Sequence, residues 1–464
     1  MIRTRPDTLT AAEQTKLFNA SHRVDVFDFF ISHVCSSPGA RKYVTLVVDR
    51  LGFAAFVSAA MVSAGLVLFQ ACWQELPRII IVRGEIPELE WAISFWEIAG
   101  GIATARLVHA LGHVFCRRMC CFFDFASICQ NDPELKAAGI ANIPAFLRDS
   151  REFVVLWDDQ YFTRLWCVYE IALAQFAGNI PIRFLPMNVY TLLVRGHLYW
   201  CAESIAWCLL LVFQPGVWRA PTMVALLGVA GFALQAFAGR ELARLHAKLQ
   251  DQFDNFDVRN TEITLESDRT QLCISIEEMF GSLDSFNDKV RTTLKSAVMR
   301  SLTGQHAAIP YWAMMWQTLL TMPFVLTMIS SAKHLPIAAR ALQCVSGVTF
   351  VCCVLPLCSA AAIGLGKRFA ARALAAGAWA VVANLVIGAL VSSMLAMWAL
   401  FVWVLPHWIG FGGMRRFGVE DWLAIPLSIS LNSFACMAAV WAFRPQTQSA
   451  GVVVESSDDG ESSG

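Results

Sequence analysis

The sequence predicts two architectures in one chain: an α/β unit built on a parallel sheet, and an all-α polytopic membrane domain of about eight spans. Three observations lead there. Of the 464 residues, 56% are hydrophobic and only 16% are charged, against ~45–50% and ~25% in an ordinary soluble domain. The excess, with a mean hydropathy of +0.52, gathers in runs long enough to cross a bilayer, which takes ~20 mainly apolar residues. Between the first of these runs, short dense apolar segments alternate with helical patterns.

The first strand is VDVFDFFIS (24–32). A dense apolar run with a polar tip suits a strand buried on both faces of a parallel sheet. PGARKYVTLVVDRLG follows as a helix, and runs at 53–71 and 91–115 then form an inserted transmembrane hairpin, 53–115. The pattern resumes with CFFDFASI (121–128) as a strand and NIPAFLRDS (142–150) as a helical segment. FVVLW (153–157), the helix RLWCVYEIALAQF (164–176) and the strand IPIRFLP (180–186) complete it. Strand–helix–strand order implies a doubly wound parallel sheet over 24–50 plus 116–196. Ligands of such sheets bind beyond the carboxyl ends of the strands. The loops after Ser32, Phe125 and Trp157 line that edge, and the helix carrying Glu170 begins there.

A second hairpin, 197–238, holds runs at 197–213, with Glu203 inside, and 217–238. The polar segment 239–308 then repeats Leu242, Leu245, Leu249, Phe253 and Phe256 at three- and four-residue steps, and later Ile276, Phe280, Leu283, Phe286, Val290 and Leu294. Two or three amphipathic helices follow. Lys289, Arg291, Lys295 and Arg300 just before a span suit a membrane-surface helix; a helical hairpin packed on the rest of the protein fits equally. Runs at 309–330, 341–363, 374–404 and 421–443 make a four-span bundle, 309–443. The stretch GFGGMRRFG (410–418) reads as a loop, and the acidic, Ser/Gly-rich tail 444–464 as disordered. An even number of crossings separates 1–50, 116–196 and 239–308, so all three can share one compartment. Their Lys and Arg content assigns them, with both termini, to the cytoplasmic side of a multi-pass protein. The N-terminus has no apolar h-region, so no cleavable signal peptide is expected.

Lys plus Arg and Asp plus Glu each number 36, and zero net charge gives no argument for nucleic acid. The fifteen cysteines form no framework. Cys344, Cys352, Cys353, Cys358 and Cys436 lie in apolar runs, as small reduced hydrophobes do. No phosphate loop, zinc motif or nucleophile elbow occurs. His109 and His113 stand at i and i+4 but lack a partnering ligand pair, so no metal site is expected.

FDFFISH resembles the opening box of the Toll/interleukin-receptor/resistance (TIR) family. SREFVVLWDDQYFTRLWCVYEIA resembles that family's later box, a strand and loop leading into a helix with Trp-Cys and then Glu. FFDFASICQNDPELKAAGI is similar to the variable loop between them. Together they cover about 110 residues. The resemblance implies a TIR/flavodoxin-like fold, departing from the family by the inserted hairpin and by the absent Ser before Trp166-Cys167. It implies a signalling protein, anchored in the lipid bilayer, that acts by TIR–TIR self-association. In enzymatic members, the Glu matching Glu170 cleaves NAD at the nicotinamide–ribose bond, which makes NAD a candidate substrate and Glu170 the candidate catalytic residue. A carboxylate there stabilises oxocarbenium character on the ribose. Phe30, Trp157 and Tyr161 are candidates to stack on a base or nicotinamide, and Ser32 and His33 to contact phosphate or ribose.

Each residue also has a structural reading. Glu170 could bond backbone NH groups, Arg164 or Arg148; Trp166 and Cys167 could be core; Asp158 and Asp159 suit a helix N-terminus. A third function class, a channel or transporter, would need Glu97, Arg106 or Glu203 along a polar path.

Overall fold

The computed structural model describes residues 9–83, 90–115, 119–177, 180–213, 220–263, 265–303, 309–331, 337–370, 377–399 and 421–444. The stretch 410–418 and the tail beyond 444 lie outside them. Helix α1 (Ala11–Asn19) starts from a capping box between Thr10 and Glu13. It is followed by β1 (Phe29–His33), α2 (Gly39–Cys72), the antiparallel pair β2 (Ile79–Arg83) and β3 (Glu90–Ile93), and α3 (Trp96–Phe115). The helix expected after the first strand and the first expected span are one continuous 34-residue helix, α2. No proline interrupts it. At ~1.5 Å per residue it is ~50 Å long, enough to cross a ~30 Å hydrocarbon core and still reach the sheet.

Next come β4 (Cys121–Phe122), α4 (Asp124–Ser127), α5 (Pro133–Ala141), α6 (Ile143–Arg148), β5 (Phe153–Trp157), a 3-10 turn at Tyr161–Thr163, α7 (Leu165–Ala177) and β6 (Ile182–Pro186). The four strands form a parallel sheet in the order β4-β1-β5-β6. One expectation is corrected: CFFDFASI is only two residues of strand and then a short helix. Asp124 Oδ1 accepts from the Phe125 amide at 2.6 Å, a local side-chain bond that favours a turn over a ladder.

Alternation along the strands sends side chains to opposite faces. Phe30, Phe153, Val155 and Trp157 enter one core with α7. Ile31, Val154, Leu156 and Leu185 enter another, shared with Val48 and Ala55 of α2 and with Met314 and Trp316 further along the chain. The sheet is therefore seated on the helical bundle, which explains why all five residues of FVVLW are buried.

The bundle contains α8 (Met187–Phe213) and α9 (Ala220–Asp254), followed by α10 (Glu266–Phe280), α11 (Leu283–Lys289) and α12 (Lys295–Thr303) outside it. Leu249, Phe253, Phe256, Ile276, Phe286, Val290 and Leu294 are all buried in the core of Phe30 and Trp157. Of the two readings for 239–308, the observed packing is the hairpin on the α/β unit. The run 309–330 is split into α13 (Tyr311–Gln317) and α14 (Thr321–Ser331), so it is not one continuous span. Then α15 (Ile337–Thr349) passes through a π-helical turn, Phe350–Val354, into α16 (Leu355–Ala370); α17 (Ala378–Ala399) and a last helix, Asp421–Phe443, follow. Among the described residues, three helices are long and apolar enough to cross a membrane: Gly39–Cys72, Arg340–Phe369 and Ala378–Trp398.

Candidate functional site

Parallel strands all expose their carboxyl ends on one edge. From β1 the chain leaves to β4 on one side, and from β5 to β6 on the other. The crevice between the ends of β1 and β5 is thus the switch point where doubly wound sheets bind ligands. A cavity of about 420 Å³ opens there, within the usual ~300–1,000 Å³ of small-molecule sites. Its walls include His33 at the end of β1, Cys35 just after it, Asp124 on α4, and Trp166 and Glu170 on α7.

Glu170 is 8% exposed and lines this cavity. Its Oε2 accepts from Ser32 Oγ at 2.5 Å, and Ser32 Oγ lies 2.5 Å from the Tyr161 hydroxyl. Among the described residues Oε1 has no hydrogen-bond partner, yet it is not sealed from solvent. The three groups form a short relay. With Glu170 ionised, the Ser32 hydroxyl donates its hydrogen bond to the carboxylate, so Tyr161 donates to Ser32. With Glu170 protonated the chain reverses, ending in the Tyr161 hydroxyl donating to the Cys167 carbonyl at 3.5 Å. Burial pushes the Glu170 carboxyl up to about 8; the Ser32 bond acts against this, and the charge of Asp124 adds to it. Burial also raises the Tyr161 phenol well above its ordinary value, so it stays a donor.

His33 stacks on Phe123, centroids 4.8 Å apart, with Nε2 3.9 Å from Asp124 Oδ1. Burial lowers its pKa despite that carboxylate, keeping the ring neutral at pH 7. Asp158 bonds Ser37 and accepts from the Gln160 amide at 3.1 Å, fixing the loop that carries Tyr161.

Of the residues expected at the site, Ser32, His33, Tyr161 and Glu170 converge. Phe30 and Trp157 do not. Phe30 is fully buried against Phe122, centroids 4.5 Å apart, and Trp157 is 1% exposed within the core. Both side chains enter the core on one face of the sheet and neither lines the cavity, so they have no route to a ligand. Glu170 pairs with Ser32, and Arg164 with Glu262 instead. Cys167 is core, as its structural reading had it, and Trp166 packs on that core while also lining the cavity.

The rim of the cavity has no signal in the sequence. Glu262 bridges to Arg164 through Leu165 N to Glu262 O (2.9 Å) and Glu262 N to Thr163 O (2.6 Å), with the side chains 3.2 Å apart. Lys136 adds an exposed cation at the opening. Only the fold joins 262–268 to the cavity, and no local pattern signals it. Neither a protein-family model, nor a curated protein, nor a solved structure matches the chain.

Proposed function

We propose that the α/β unit is a TIR-like domain that hydrolyses the nicotinamide–ribose bond of NAD, with Glu170 as the catalytic residue. One observation carries this reading: a cavity at the switch point reaches a carboxyl group that has one oxygen oriented by Ser32 and the other, among the described residues, without a partner. The large majority of buried side-chain oxygens in structural roles are hydrogen-bonded. The Arg164 and Lys136 side chains lining the cavity suit the phosphates of a dinucleotide.

In the reaction, the bond between the nicotinamide nitrogen and ribose C1′ breaks, and its electron pair leaves with neutral nicotinamide. Water oxygen bonds to C1′, and a proton goes to solvent. Ionised Glu170 stabilises the oxocarbenium character between these events. Its raised pKa means that the empty site holds much of it protonated at pH 7. The cationic nicotinamide ring favours the ionised form, so substrate binding itself deprotonates Glu170.

Around this unit, the apolar helices form a multi-pass domain that holds it at the cytoplasmic face of a membrane, and TIR–TIR association, the expected signalling mode, organises the domains there. The test uses the full-length chain in detergent, given NAD, with nicotinamide release followed by chromatography. Wild type releases nicotinamide and Glu170→Ala does not. Absence of release by wild type, or equal release by the variant, overturns the reading.

A further inference from the structure

We propose that His33, Cys35 and Asp124 bind a divalent d-block cation of the zinc class on the wall of the cavity, leaving one coordination position open. The ligand atoms of these three side chains all lie within 4.8 Å of one another. Nε2 of His33 is 3.9 Å from Asp124 Oδ1, and Cys35 Sγ is 3.9 Å from Asp124 Oδ2. Tetrahedral zinc with bonds of ~2.0–2.3 Å separates its ligands by about 3.3–3.8 Å. The three side chains therefore need to close by only about an ångström.

The scaffold is already fixed. His33 ends β1 in the middle of the sheet, Phe123 holds its ring plane by stacking, and Asp124 opens α4 with Oδ1 anchored on the Phe125 amide. Cys35 sits two residues beyond His33 and is exposed, so a cation can reach it. The donor set selects the metal. One imidazole, one thiol and one carboxylate suit zinc and its neighbours, whereas magnesium and calcium take oxygen ligands.

The local field agrees. Asp124 and Glu170 already bring carboxyl groups to the cavity wall beside Cys35. A further negative charge is unfavourable here until a dication reverses the balance. Lys42, which donates to the Cys35 carbonyl at 3.4 Å, favours the thiolate and partly opposes the cation. Three protein ligands leave a fourth position for water or, if the hydrolase reading holds, for an oxygen of the nucleotide.

Cobalt(II) is the probe, because a thiolate ligand gives it a charge-transfer band and four-coordination gives it intense visible bands. Full-length protein in detergent, stripped with a chelator, should bind one cobalt ion per chain with both signatures, and zinc should displace it. Cys35→Ser should lose the charge-transfer band. His33→Gln and Asp124→Asn should weaken binding at least ~10-fold. Cys353→Ser, which removes one of two thiols 3.7 Å apart in the bundle, should change nothing. A band that survives Cys35→Ser, or no thiolate band in wild type, overturns the site. No substrate is present, so this outcome is independent of NAD cleavage.

Discussion

Two carboxyl groups, one in each half of the molecule, show how an acidic residue on an apolar helix acquires a role. Glu97 on α3 is fully buried among the helices of the bundle. Gln70 Nε2 donates to its Oε1 at 2.7 Å, Ser94 Oγ to its Oε2 at 2.9 Å, and Thr327 Oγ1 reaches Oε2 at 3.5 Å. Even its backbone carbonyl accepts from Ser63 at 2.8 Å. Glu170 is almost as buried, but among the described residues only Oε2 is bonded, and a cavity meets the residue. Glu97 is a closed polar node that ties α2, α3 and α14 together. Glu170 is held open. Burial alone does not distinguish them; the count of satisfied oxygens does. The closure of Glu97 also weakens the transport reading, which needs that side chain along a path.

The largest difference is expected from Glu170→Gln. Nicotinamide release should fall at least ~10³-fold, the scale of losing a main electrostatic stabiliser. The same variant should be more stable. A carboxyl whose folded pKa is raised to about 8 is held protonated by folding. Its stability is full below the unfolded value of 4.5 and declines as pH rises from there to about 8. By pH 7 the decline is on the order of 3 kcal/mol, and Gln removes it. Thermal unfolding in detergent at pH 5 and pH 8 checks the sign: the Gln variant's advantage must grow with pH. An active variant, or an advantage that shrinks with pH, breaks the contrast with Glu97.

Glu97→Ala should do the opposite. It orphans Gln70 and Ser94 and opens a cavity among α2, α3 and α14, at a cost of roughly 2–5 kcal/mol, while turnover per folded molecule stays at the wild-type level. Melting temperature and nicotinamide release, measured on one preparation, separate the two effects.

Ser32→Ala is a smaller change that sharpens why Glu170 is poised. The free-enzyme ionisation appears in kcat/KM, so wild type should gain activity as pH rises toward about 8. The Ser32 bond lowers the Glu170 pKa. Removing it moves that limb of the pH profile to higher pH, and activity at pH 7 falls about tenfold for every pH unit the limb moves. An unmoved limb would assign the titration to another group.

These contrasts also mark what was legible in the sequence. FVVLW matches β5 residue for residue, because a run buried on both faces leaves no polar position to blur its ends. Ser32, Tyr161 and Glu170 were readable as edge residues since strand order alone brings carboxyl ends together. Phe30 and Trp157 are core instead: Phe30 shares Ser32's face of β1 but lies two residues further from the carboxyl edge, against Phe122. Trp157 is enclosed in the core that Leu249, Phe253 and Phe286 help to fill, so nearness to the edge in sequence does not reveal burial. The boundary at 53 vanished since nothing between Gly39 and Cys72 stops a helix. The rim at 262–268 and the grouping of His33 and Cys35 with Asp124 depend on contacts across roughly ninety residues or more, which no local spacing encodes.

The smallest expected effect concerns what keeps the Glu170 side open. Arg164 and Glu262 clasp the rim, with side chains 34% and 67% exposed. An ion pair so exposed contributes less than ~1 kcal/mol, so a double-mutant cycle of Arg164→Ala and Glu262→Ala should give a coupling energy in unfolding of that size. The backbone bonds of Thr163 and Leu165 to Glu262 persist in both variants and retain the rim's course. Arg164 also lines the cavity, where losing its charge weakens attraction for phosphates without touching the reacting bond. KM for NAD should therefore rise a few-fold in Arg164→Ala with kcat unchanged, the signature of lost uniform binding. Glu262→Ala should instead lower KM or leave it, since it frees the guanidinium from a competing carboxylate. Opposite signs in the two variants identify the clasp as a brake on substrate binding, and equal signs reduce it to a structural staple.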